Sequence, residues 1–359
     1  LGISWLWFVG ATYLTQFPLL TKTLFNASSA VATVLLFAFT VGLGVGAFLC
    51  ERWSRKRIEM GLVLWGLMVM VLAGALLHAV LVSYSTASFE QSLLEFFSQA
   101  QNLAVLALFV LISVGVGLYS VPLYSTMQAL SPKESRSRVV SANNIVNSFF
   151  MVVSAGFAIA ILLATQGQVL WVFSAVTAIN VLVIVLWCVK EPYVVLRALL
   201  VFKVSRKRLP LLADVDHLGD EGGRLIVFPT LLHDNYMLRI AGLPLEMTVV
   251  LSGRLKSNRF VDWMRKHQFI IEYTKFAEIE TQKELIRQIA AHMQEGRAIA
   301  IDKAMYELLR KQYRLDDMPA VLAKKSVAMT VLEFHEDISA AAEISHPIWR
   351  LSKREGAPA

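Results

Sequence analysis

The sequence predicts a membrane all-α region of six transmembrane helices followed by a cytosolic α/β domain. Three observations predict this. Of 359 residues, 56% are hydrophobic and only 17% carry a formal charge, whereas soluble domains average about 45–50% apolar and about 25% charged residues. The charge is also unevenly placed: residues 1–190 hold 9 of the 34 Lys and Arg and 5 of the 27 acidic residues, all of them Glu. From Arg224 onward, short apolar runs alternate with amphipathic stretches, the signature of strands interleaved with helices. A wholly soluble enzyme is excluded. So is a disulfide scaffold, because the only cysteines are Cys50 and Cys188, each inside an apolar run.

Six stretches approach the roughly 20 apolar residues needed to cross a bilayer: 1–20, 28–50, 59–83, 103–130, 141–165 and 168–189. The chain opens at Leu1 within an apolar run that has no basic stretch ahead of it, which reads as a membrane span and not as a signal peptide. The intervening segments alternate in charge. Lys22 is the one basic residue of the 21–27, 84–102 and 166–168 loops, whereas 51–58, 131–138 and the segment after 190 are basic. The positive-inside rule then places Leu1 and everything after Lys190 on the cytoplasmic side. The net charge of +7 reflects these flanking residues and gives no reason to invoke nucleic acid.

Within the spans, Gly42, Gly44 and Gly46, and again Gly115 and Gly117, predict close helix packing. Pro122 should kink the fourth span. No Asp, Glu, Lys or Arg lies mid-span, which argues against an ion- or proton-coupled pump built on such groups. The polar uncharged residues Tyr119, Ser120, Tyr124, Gln128, Asn143, Asn144, Asn147 and Ser148 remain. Asn143 and Asn147 share a helical face, and amides are costly against lipid, so they should hydrogen-bond between helices or line a substrate path.

Residues 191–210 mix Val, Leu and Phe with Arg197, Lys203, Arg206, Lys207 and Arg208. They predict an interfacial helix held by apolar contacts and anionic headgroups. Residues 214–223 read as a solvated loop; His217 and three Asp there have no second ligand cluster to make a metal site, and no cofactor is expected. Beyond it, strands are predicted at 224–228, 246–251, 268–273, 297–301 and 327–334, with helices at 257–266, 277–294 and 303–312. The α/β domain is bounded at 211–345, and 346–359 reads as a tail.

Several of these segments carry a resemblance. The glycine run, Val121-Pro122-Leu123, Gln128, Ser131 through Arg138, and Ala142-Asn143-Asn144-Ile145-Val146-Asn147 resemble the carboxyl-terminal half of major facilitator transporters, in the bacterial lysophospholipid branch that includes acyltransferase fusions. Glu51-Arg52-Trp53-Ser54-Arg55-Lys56-Arg57 is similar to the basic loop of a facilitator half, with Glu for the usual acid and Ser54 for the usual glycine. The resemblance implies a bacterial inner-membrane protein with 191–359 cytoplasmic, and an upstream transporter half supplied by the same chain or by a dimer. It further implies lysophospholipid as substrate, bound by Tyr119, Tyr124, Gln128, Asn143, Asn144 and Asn147, and gating by Glu51, Arg52, Arg55 and Arg57.

The soluble segment resembles the glycerolipid acyltransferase domain of those fusions at Phe228-Pro229 through Leu243-Pro244, at Asn258 through Trp263, at Gln294 through Arg297 and at Ala323 through Ser326. That family uses a His with an Asp five residues later as its acid/base pair, and a Pro-Glu-Gly motif near the acceptor phosphate. Here Thr230 and Asn235 stand at the pair's positions and Ala304 falls in the motif, so the resemblance implies an inactive scaffold. His233, with Asp234 or Glu272, is the one rescue candidate. The alternative expectation is an active lysophospholipid O-acyltransferase drawing on acyl carrier protein or coenzyme A thioesters.

Overall fold

Uninterrupted runs of Leu, Val, Ala, Phe and Gly leave the backbone of the first half one way to satisfy its own N–H and C=O groups away from water, and that way is helical. A computed structural model describes residues 1–54, 58–86, 88–132, 134–206, 212–213, 223–228, 247–251, 255–272, 279–294, 297–303, 305–307, 329–337 and 348–353. It divides into two units, Leu1–Ser205 and Arg206–Ala359.

The first unit contains α1 (Gly2–Thr23), α2 (Ser29–Ser54), α3 (Gly61–Val82), α4 (Leu93–Ser98), α5 (Ala100–Leu130), α6 (Arg136–Ala164), α7 (Val169–Lys190) and α8 (Pro192–Arg206). Five of these, α2, α3, α5, α6 and α7, are long and apolar enough to cross a membrane, which makes this a multi-pass membrane protein. The sixth expected span corresponds to α1, which is not among these five. That helix has a sufficient 22 residues but is less apolar than the others, because Ser4, Thr12, Gln16 and Thr21 lie on it, all of them buried against the bundle. The loop at 84–102 holds a helix that the apolar pattern did not announce, α4, which starts on a capping box between Ser92 and Glu95.

The distribution of side chains is that of a protein dissolved in lipid. On α6 the buried residues are Asn147, Ser154 and Ala158, while Ile145, Phe149, Val152 and Leu163 are each more than 60% exposed. Water would oppose that arrangement; hydrocarbon favours it, since apolar side chains lose nothing by facing lipid and polar ones must turn inward.

Helix α5 is the most buried of the spans and runs unbroken through Pro122. It packs against α2 and α3 through small residues. A Cβ on Gly117 would lie 2.5 Å from the Leu43 carbonyl oxygen, and one on Gly66 would lie 2.6 Å from that of Gly115. Gly42 and Gly46 are as tightly faced by Ser113 and by the Val114 carbonyl, whereas Gly44 meets nothing within 4 Å and faces outward. The core between helices is aromatic: Tyr13, Phe17, Phe39, Phe109 and Phe173 contact one another with centroid separations of 4.9–6.1 Å.

Each end of the bundle is closed by a polar staple. At the end holding the α1–α2 and α3–α4 links, the fully buried Gln91 accepts from Ser28 N (3.0 Å) and donates through its own amide N to Asn26 O (2.8 Å) and through Nε2 to Phe25 O (3.1 Å). Asn102, equally buried, donates to Gln91 Oε1 (3.1 Å) and Phe96 O (3.0 Å) and accepts from the Tyr84 hydroxyl (2.5 Å). Burial pushes the Tyr84 phenol up from its ordinary pKa, opposed by its bonds to Gln91 and Asn102. Asn102→Leu strands several of these groups at once. It is expected to cost about 3 kcal/mol, read as a lower unfolding temperature in detergent with faster proteolysis near residue 90.

At the opposite end, α8 folds back onto the bundle. Val194, Ala198 and Val201 are buried, the Trp65 indole donates to Ala198 O at 2.9 Å, and Gly61 lets the α8 backbone pass within 2.5 Å of where its Cβ would stand. Arg197 forms a bidentate ion pair with Glu59, 138 residues away, and each side chain is only 7% exposed. Burial alone would depress the guanidinium, but the Glu59 charge and hydrogen bonds outweigh it and leave its pKa above the ordinary value. The expected headgroup-anchoring role for Arg197 is therefore corrected: it is sequestered inside the protein.

The second unit is α/β. Among the described residues its strands are β1 (Leu212–Ala213), β2 (Gly223–Phe228), β3 (Met247–Leu251), β4 (Ile270–Glu272), β5 (Ala298–Asp302), β6 (Met329–Asp337) and β7 (Ile348–Lys353), and its longer helices are α9 (Arg259–Lys266) and α10 (Ile279–Gln294). They form one sheet in the order β1-β7-β6-β2-β5-β3-β4. All neighbours are parallel except β6 and β7. Leu285, Ile289 and Met293 of α10 cover Leu225, Val227, Val250, Ile299 and Ile301. Five of the seven strands among the described residues, β2 through β6, stand where alternation predicts them. The reading of 346–359 as a tail is corrected by β7, whose lone apolar pairs among charges gave no run to read; the domain accordingly extends past 345 to Lys353.

Candidate functional site

Consecutive long helices alternate in direction, so the start of α1, the end of α5, the start of α6 and the end of α7 meet near one end of the bundle. A chain of polar contacts links them. The Tyr119 hydroxyl donates to Gly2 O (2.8 Å), Ser4 Oγ to Asn147 Oδ1 (3.0 Å), Trp5 Nε1 to Asn180 Oδ1 (2.9 Å) and Trp7 Nε1 to the Tyr124 hydroxyl (2.8 Å). Helix α1 thus serves as a ladder on which α5, α6 and α7 are each hydrogen-bonded.

Two rungs are incomplete. Asn147 is 3% exposed, and while its Oδ1 accepts from Ser4, its Nδ2 has no partner. Asn143 Nδ2, one turn earlier on the same face, is likewise buried and without a partner. Buried polar groups are nearly always satisfied, so two orphaned donors on one face are the most informative feature of the unit. A third orphan, Gln16 Oε1, lies three turns further along α1 and is an acceptor.

The residues singled out from sequence divide accordingly. Tyr119 is 1% exposed and used in packing, with its hydroxyl on Gly2 O. Tyr124 is half-buried, while Gln128 and Asn144 are exposed. Glu51 and Arg52 end α2 with exposed side chains. Arg55, Arg57, Thr230, His233, Asn235 and Ala304 lie outside the described residues. Glu272 accepts from Leu255 N (2.8 Å) and pairs with Arg265 (3.0 Å), so its carboxylate braces the turn before α9. Among the described residues, no three His, Cys, Asp or Glu side chains converge as a metal would require.

Sequence reasoning missed Trp7 and Ser4, although both stand in the first apolar run. It also passed over His78, the one histidine of the spans, whose Nδ1 lies 2.6 Å from Ser174 Oγ. A histidine in an apolar run is itself a signal.

No family model, no curated protein and no solved structure matches the chain.

Proposed function

We propose that the chain is half of a membrane transporter body that moves lysophospholipid or a related amphiphile across the bacterial inner membrane. In this reading a second six-helix half completes it, and the second unit is a non-catalytic cytoplasmic appendage. The observation that carries the reading is the pair of buried, unpartnered amide donors one turn apart on one face of α6, at Asn143 and Asn147. Desolvated donors without partners are the groups a ligand's acceptor oxygens would complete. The sequence string around Pro122 and Asn143 supports the same reading, and so does the apolar exterior of α6, along which an acyl chain can stay in lipid while its headgroup is held.

The test is headgroup flipping in proteoliposomes by the whole protein. Asn143→Leu combined with Asn147→Leu is expected to lower the flipping rate about tenfold, through loss of about 1.4 kcal/mol of hydrogen bonding. Thermal stability should change little, because removing an orphaned polar group relieves its desolvation and offsets the lost Ser4 bond. Unchanged flipping would overturn the reading.

A further inference from the structure

We propose that the outer face of α9 is a docking surface for an anionic lipid bilayer, with Lys256, Arg259 and Lys266 drawing it to the headgroups and Phe260 and Trp263 seating it among them. The proposal concerns the second unit alone and stands apart from the transport reading.

Helix α9 has two unlike sides. Val261 is buried at 8% and stands about 160° around the helix from Trp263, which fixes the inner side. On the outer side Arg259, Trp263 and Lys266 follow one another at the i, i+4, i+7 spacing of a single face, with Phe260 beside them. Among the described residues of the second unit, Phe260 is the one exposed large hydrophobic side chain, at 41%. Its ring stacks on that of Trp263, with centroids 6.2 Å apart and 17° between the planes. The half-buried indole is backed in turn by His267 at 5.0 Å and Phe269 at 5.7 Å. An aromatic pair held from behind, with one ring standing proud of the surface, suits the boundary between headgroups and acyl chains.

The charges around the pair are sorted. Arg265 binds Asp262 at 2.6 Å and Glu272 at 3.0 Å, so both nearby acids already hold a cation. Lys256, Arg259 and Lys266 are exposed and form no ion pair among the described residues. Four cations, counting Arg265, against two acids leave a local balance of +2. Each lysine or arginine near an anionic bilayer contributes about fivefold in partition.

The tether decides which anionic partner this face meets. Ahead of α9 the same chain is a multi-pass membrane protein, so a bilayer is always within the unit's reach. A surface of low intrinsic affinity binds when its partner is held close.

The experiment follows a nitrobenzoxadiazole fluorophore on Ser257→Cys in the full chain, with Cys188→Ser and with Cys50, which is 2% exposed, left in place. The chain is reconstituted at one copy per nanodisc, in phosphatidylcholine alone or in an equal mixture with phosphatidylglycerol. Emission is expected to rise about twofold and shift to the blue in the anionic discs, and the rise should vanish in about 0.5 M salt. Arg259→Gln combined with Lys266→Gln should remove most of the rise, and Phe260→Ser about half of it. Each variant must elute as the parent does; where the double variant does not, Lys256→Gln, ahead of the helix, supplies the same comparison with about a third of the loss. Equal emission in the two discs, a rise that survives salt or the glutamine variants, or one untouched by Phe260→Ser overturns the inference. So does a rise that appears only with two copies per disc, which assigns the face to contact between proteins. None of these outcomes bears on the transport reading, which is tested by flipping.

Discussion

Arg197→Ala is expected to detach α8 from the bundle. The substitution leaves Glu59 as a carboxylate that is 7% exposed with no cation beside it, and breaking a buried pair from one side costs about 3–5 kcal/mol. The loss should fall on α8 first, because that helix is held through one narrow stripe, Val194, Ala198 and Val201, together with the Trp65 bond to Ala198 O. A cysteine placed at Val201, which is 2% exposed in the parent, reports the change: a membrane-impermeant maleimide should label it slowly when Arg197 is present and quickly when it is not. Glu59→Ala should do the same. The double replacement Glu59→Leu with Arg197→Met should restore protection, since an apolar pair of similar volume removes both desolvated charges together. Slow labelling in Arg197→Ala would mean that water already reaches the pair.

The second large effect is steric. Gly46→Leu is expected to abolish a monodisperse fold, because a Cβ at that position already overlaps the Val114 carbonyl oxygen and would stand 3.0 Å from Gly117 Cα. Both neighbours are backbone on a helix that cannot yield locally, so α2 and α5 must separate along their length, at a cost beyond the usual 1–3 kcal/mol of overpacking. Gly44→Leu, two residues away, supplies the control: nothing lies within 4 Å of its Cβ, and its behaviour should match the parent's. Size-exclusion profiles and thermal unfolding in detergent distinguish the two. Equal behaviour of the two variants would show that the α2–α5 seam is looser than described.

Those two glycines show where the sequence stops being legible. As text, Gly42, Gly44 and Gly46 are equivalent members of one run; only the rotation of α2 against α5 separates the two that touch from the one that does not. Apolar length is a local property, so five helices stand close to where composition places them. Alternation is local too, and it located β2 through β6. The Glu59–Arg197 pair is different. Nothing near Arg197 distinguishes it from the other basic residues of the juxtamembrane segment, and its partner becomes a partner only when α8 turns back toward the start of α3. The Asn143 and Asn147 face was readable from spacing. That both amides carry unsatisfied donors was not, because it depends on what α1 brings opposite them.

Stiffness is unequally shared among these helices, and this follows from how α6 is attached. Helices α2, α3, α5 and α7 interlock by glycine contacts and the aromatic core, whereas α6 leans chiefly on α1, through the Ser4–Asn147 bond and the Phe8–Phe157 rings 5.3 Å apart. Opening costs least where few groups must part. Helix α6 is thus the compliant leaf of an otherwise rigid frame to which α1 belongs through Tyr13 and Phe17, and a load applied to the bundle is taken up along the side that bears the incomplete amides.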